Sequence, residues 1–137
     1  MLRKVRLWLA LTRACRDVSK RSTGYMWGAG HGANLDDVSP GSLFDCSSSV
    51  SYVLRRSGMF PWPRAIVSGD FVHWGRPGRG KWFTVYYSTE HVWIRFHRSP
   101  RYWRFDTSPW GYGRNGPRMR VLPRLTTGFH ARHWPGM

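Results

Sequence analysis

Helical and strand-like patterns occupy separate parts of this chain, and that segregation decides the fold class before any residue is singled out. Leu2, Val5, Leu9 and Thr12 recur at i, i+3, i+7 and i+10, which predicts an amphipathic helix over about residues 2–20 with that stripe in the core. Val50, Val53 and Leu54 predict a second helix over residues 45–57, with Asp45 as its N-cap and Gly58 just past its end. Alternating runs follow at 81–88, 91–97 and 101–107, with shorter strand candidates near 118–122 and 128–133. A glycine-rich loop spans 24–32, and 69–80 and 109–117 read as irregular. Helices first and strands second predict an α+β domain over 1–137. An N-terminal helix and a Cys-bearing helix pack on an antiparallel sheet of about five strands.

Composition narrows the partners. Lys and Arg number 22 against 7 Asp and Glu, a formal charge of +15, yet 41% of residues are hydrophobic, which excludes a disordered basic tail. Nineteen of the cations are Arg, whose planar fork suits phosphate and carboxylate. Such a field favours an anionic partner, although no dedicated nucleic-acid module accompanies it and solubility is the plainer use of the charge. No apolar run approaches the ~20 residues of a transmembrane segment. Residues 7–11 are apolar but short of the ~7–15 of a signal peptide, so the expectation is a core helix and no signal peptide.

Two cysteines invite different readings. Cys46 would sit in the first turn of the second helix, where unpaired N–H groups and the helix dipole favour a thiolate. Cys15 lies inside the first helix and reads as structural. A thiolate nucleophile needs a base and a group to orient it. If Val92 faces Phe105 and Ile94 faces Trp103 across a hairpin, His91 falls opposite Asp106, with Trp93 beside Arg104. His91 and Asp106 are then the expected base and orienter.

These residues resemble the NlpC-type papain-like cysteine peptidases that cut bacterial peptidoglycan stem peptides. That family carries Tyr-x-Trp-Gly-Gly, then Asp-Cys-Ser-Gly opening a helix, His-Val starting a strand, and a polar residue on the next strand. Here they read Tyr25-Met-Trp27-Gly28-Ala29, Asp45-Cys46-Ser47-Ser48, His91-Val92 and Phe105-Asp106-Thr107. The stretches 68–75, 80–86 and 104–108 also look like single-domain members from actinobacteria and their phages. The resemblance implies a papain-like fold with Cys46 as nucleophile, His91 as general base and then acid, and Asp106 as its orienter. Tyr25, Trp27, Asp45 and Ser47 would contact the peptide, and N–H groups near Cys46 would hold the oxyanion. The family generally cleaves the γ-D-glutamyl–diamino acid bond through an acyl-enzyme, without a cofactor. Ser48 and Ala29 stand where the family has Gly, and Asp106 where it often has His.

A lone catalytic domain of this kind needs delivery to the wall, which suggests a phage product, tail-associated in the virion or released at lysis. Two other uses of the same residues are a structural subunit docking on other phage proteins, and a Cys–His amidase or acyltransferase. Loop tryptophans Trp62, Trp74 and Trp110 are candidates for stacking on glycan sugars, against the commoner fate of filling the core. His130 and His133 make a poor metal pair, because that spacing on a strand points to opposite faces. His31, His73 and His97 have no partner legible in the sequence.

Overall fold

The computed structural model describes residues 2–107 and 116–137. Two α-helices come first, α1 (Leu2–Arg21) and α2 (Cys46–Arg56). Six strands follow: β1 (Arg76–Pro77), β2 (Phe83–Tyr87), β3 (Val92–Phe96), β4 (Arg104–Asp106), β5 (Arg118–Arg120) and β6 (His130–His133). They form one antiparallel sheet in the order β1-β6-β2-β3-β4-β5, with short 3-10 turns at Leu35–Asp37 and Ser68–His73. The architecture is α+β. The strand beyond the expected five is β1, two residues from a stretch that reads as irregular. It lies at the sheet edge, where Pro77 can pair with Arg132 despite lacking an N–H. Among the described residues no helix is long and apolar enough to cross a membrane.

Helix α1 has the expected length and packs into the core, but through a different stripe. Trp8, Leu11, Cys15 and Val18 are buried, whereas Leu2 and Leu9 are 76% and 57% exposed. Both stripes have the same spacing, one residue out of phase. Trp8 decides between them: its ring packs edge-on against Phe96 and tilts against Trp82, and an indole removes more apolar surface from water than a leucine.

Strand alternation builds the core. Phe83, Val85 and Tyr87 pair with Phe96, Ile94 and Val92, and Ile94 pairs with Phe105. These residues join Leu11, Val18, Val53 and Leu54 in one buried cluster. The other parity carries Tyr86, Trp93, Arg95, Arg104 and Asp106. There Trp93 stacks between Tyr86 and Trp103, and the Arg95 guanidinium lies 3.7 Å over the Trp103 ring. Trp74 belongs to the core and not to a glycan-binding loop: it is fully buried, and its indole N–H donates to the Met59 carbonyl at 2.8 Å. Trp62 is half-buried, edge-on to Phe60. Trp110 lies outside the described residues.

The β3–β4 register differs from the expected one by two residues. Ile94 pairs with Phe105 and Arg95 with Arg104, while Trp93 pairs with Tyr86 on β2. The turn sets this: the observed pairs centre between Ser99 and Pro100, where Ser99 Oγ accepts from the Tyr102 N–H at 3.0 Å, whereas the expected pairs centre one residue earlier. Alternation has period two, so a two-residue shift leaves the side chains within β3 and β4 on their expected faces, while Trp103, just outside β4, turns to Trp93 and Arg95 instead of the core. His91 and Asp106 become diagonal neighbours across the strand ends, a separation that an imidazole and a carboxylate can bridge.

Candidate active site

The start of α2 is built around one carboxylate. Asp45 Oδ1 accepts from the Ser48 N–H at 2.8 Å, and Ser48 Oγ accepts from the Asp45 N–H at 3.0 Å, a reciprocal capping box. Ser48 is fully buried against Gly30, where a Cβ would come within 2.7 Å of it. The same carboxylate reaches across to the glycine-rich loop. It accepts from the Gly28 N–H at 3.1 Å and from Ser47 Oγ at 3.2 Å, and His31 Nε2 lies 3.1 Å from both of its oxygens. Burial pushes the Asp45 carboxyl up, but the bonds from His31 and Ser48 outweigh it and hold it below the usual range. The Asp45 bond is also the main reason that His31 holds its proton above the usual imidazole range.

This frame presents Cys46 at the first helical position. Its side chain is 8% exposed, and Sγ lies 3.5 Å from Ser68 Oγ. Burial disfavours its thiolate, but hydrogen bonds from His91 and Ser68 and the charge of His91 bring the thiol below its ordinary value. Cys15, with no exposure, is pushed well up by burial. The polar helix start is not a wet one: Ser47, Ser48 and Ser49 are all buried, and each hydroxyl is hydrogen-bonded within the protein.

His91 links the helix to the sheet. Its Nε2 sits 2.7 Å from Asp106 Oδ1, which leaves Nδ1 for the Cys46 thiol. Burial works against protonation of this ring, but the bonds and charges of Asp106 and Cys46 prevail and push it up to about 9. The lowered thiol and the raised imidazole both favour the thiolate–imidazolium pair over the neutral pair. Asp106, 1% exposed, is tied down on its far side. Its Oδ2 accepts from Arg104 Nε at 3.0 Å and Arg124 Nη1 at 2.8 Å, and its main-chain carbonyl accepts from Arg120 Nε at 3.0 Å.

Cys46 lines an open cleft of about 410 Å³, together with Tyr25, Trp27, His31, Asp45, Ser47, Val67, Ser68 and Glu90. Tyr25 is fixed by a bridge to Phe44. Burial and the negative charge of Cys46 and Asp45 keep its phenol protonated, a ready donor into the cleft. Trp27 stands at the rim, 86% exposed. Asp45 and Ser47 line the cleft with their polar atoms already engaged by His31. Of the seven residues that the resemblance assigns to the site, Tyr25, Trp27, Asp45, Cys46 and Ser47 line this cleft, and His91 and Asp106 are hydrogen-bonded to each other.

Three residues at the site carried no assigned role in the sequence: His31, Ser68 and Arg124. His31 meets Asp45 across 14 residues of irregular chain, and Arg124 reaches His91 across 33, separations with no periodicity to read. Among the described residues no group of three His, Cys, Asp or Glu side chains is placed to share a metal ion. No protein-family model, curated protein or solved structure matches the chain.

Alkylation reads this geometry directly. Iodoacetamide at about pH 6 should label Cys46 stoichiometrically and leave Cys15 untouched, as seen by peptide mass mapping, because the thiolate is the reactive form. Equal labelling of both, or of neither until about pH 9, would contradict an activated Cys46.

Proposed function

We propose that this chain is a papain-like, NlpC-type cysteine endopeptidase that hydrolyses an amide of the peptidoglycan stem peptide. The observation that carries the reading is Cys46 opening α2 at an open cleft, its thiol lowered by His91, whose Nε2 lies 2.7 Å from the buried Asp106 carboxylate. The Cys46 thiolate adds to the carbonyl carbon, His91 protonates the departing amine, and water then cleaves the thioester with His91 taking its proton. Oxyanion stabilisation falls to N–H groups of the first turn of α2, which have no intrahelical acceptor. The sequence resemblance supports the γ-D-glutamyl–diamino acid bond as the target. A charge of +15 supports retention on an anionic wall, and delivery by a phage, on the tail or at lysis, belongs to the same proposal.

The test is incubation with diaminopimelate-type sacculi and mass spectrometry of the released fragments. New amino termini on the diamino acid support the proposal. Intact stem peptides after long incubation favour the structural-subunit reading, and cleavage at another amide favours the amidase reading. Rate should follow the ion pair: kcat/KM rises with pH as Cys46 deprotonates and falls as His91 loses its proton near pH 9. A rate still climbing well beyond that limb would remove His91 as the acid.

A further inference from the structure

The third member of the chain is a buried carboxylate with more cationic neighbours than one imidazole. Its two oxygens are used unequally. Oδ1 faces His91 at 2.7 Å, whereas Oδ2 takes Arg104 Nε at 3.0 Å and Arg124 Nη1 at 2.8 Å. Arg124 differs from Arg104 in one respect: its Nη1 also lies 3.2 Å from His91 Nε2. Its guanidinium hangs over the Phe129 ring at 5.5 Å, and Phe129 stands edge-on to both His91 and Trp93. The arginine is therefore held in place by apolar packing as well as by charge.

We infer that Arg124 is a positioning residue for His91, fixing Asp106 so that Oδ1 is left to the imidazole and moderating how tightly that imidazole holds its proton. This rests on the proposed role of the Cys46–His91–Asp106 chain. The physical argument has two parts. A carboxylate gripped on one oxygen by two guanidiniums cannot rotate to offer the other edge, so the direction of the His91 ring is set from behind. A fixed cation 3.2 Å from Nε2 opposes the positive ring. Asp106 and Cys46 pull the other way. The balance against His91 comes from every side: Cys46 on α2, Asp106 on β4 with Arg104 beside it, Arg120 on β5, Arg124 on the loop after β5, and the exposed Glu90 next in sequence.

The experiment is the ring titration of His91, followed by nitrogen-15 NMR in the full chain, for wild type, Arg124→Gln and Arg124→Lys. The Gln variant should titrate about one pH unit higher, since a close, partly exposed like charge has been removed. The Lys variant, which restores the charge, should stay within about 0.3 units of wild type. Arg124→Met keeps the apolar stem over Phe129 and serves if the Gln variant does not fold; it should shift as Gln does. In turnover, Arg124→Gln should lower kcat about tenfold with KM within about twofold, the mark of a misaimed base. A Gln or Met variant titrating with or below wild type, or a Lys variant moving as far as Gln, would overturn the inference. The titration needs no substrate. Should wild type leave peptidoglycan intact while the shift is present, the peptidase reading falls and the positioning of His91 stands.

Discussion

Replacing Cys46 with Ala should cut release of stem-peptide fragments by a thousandfold or more, while the melting temperature stays within about 3 °C of wild type. The two halves of that expectation come from different features. In the proposed mechanism the acyl bond forms on sulfur, and the neighbouring hydroxyls of Ser47 and Ser68 are committed to Asp45 and to Sγ itself. The fold asks little of the thiol. Ala is well suited to a helix, and the cap lies with Asp45 and Ser48, not with Cys46. A variant keeping more than about a tenth of wild-type release would show that the bond is cut elsewhere.

Asp106→Ala should be the most damaging change at the site for folding and chemistry together. Removing one partner of a buried charge cluster costs roughly 3–5 kcal/mol, because the groups left behind stay dehydrated and unpaired. Here those groups are Arg104, Arg124 and His91, around a carboxylate whose side chain has no exposure. For a chain of this size that loss corresponds to a melting temperature lower by about 10 °C or more. Activity should fall by roughly a hundredfold to ten-thousandfold, since His91 loses its orienter. Asp106→Asn offers the complementary measurement. Its amide oxygen can still face His91, so more of the stability survives, but the charge that raises His91 is gone. The alkaline limb then moves down from about 9. An Ala variant that melts with wild type would show that the arginines are satisfied by other means.

The parts of this molecule legible in its sequence are those governed by local rules. Asp45 as a cap, Cys46 in the first turn and Gly58 with positive φ after the helix follow from capping chemistry over a few residues. The strands follow from alternation. What escaped was set by competition or by long-range closure. The α1 stripe is one residue out of phase because Trp8 outbids Leu9 for the core, a contest between two patterns of equal period. The β3–β4 register depends on where the chain turns between 97 and 103; it turns about Ser99-Pro100, one residue beyond the centre that facing Val92 with Phe105 assumes. His91 and Asp106 meet all the same, since face survives a two-residue slip. His31 and Arg124 were invisible because loops bring them to Asp45 and Asp106 with no periodic spacing to announce it.

Asp45 closes the helix cap and also anchors Gly28 and His31 of the glycine-rich loop that lines the cleft. Nucleophile and wall consequently share one fastener, and neither can swing without releasing the other. A cleft hinged in this way selects by prior fit, not by clamping down on whatever enters. Its ligand has to supply the flexibility, and a short, bendable peptide suits such a mouth better than a rigid folded chain.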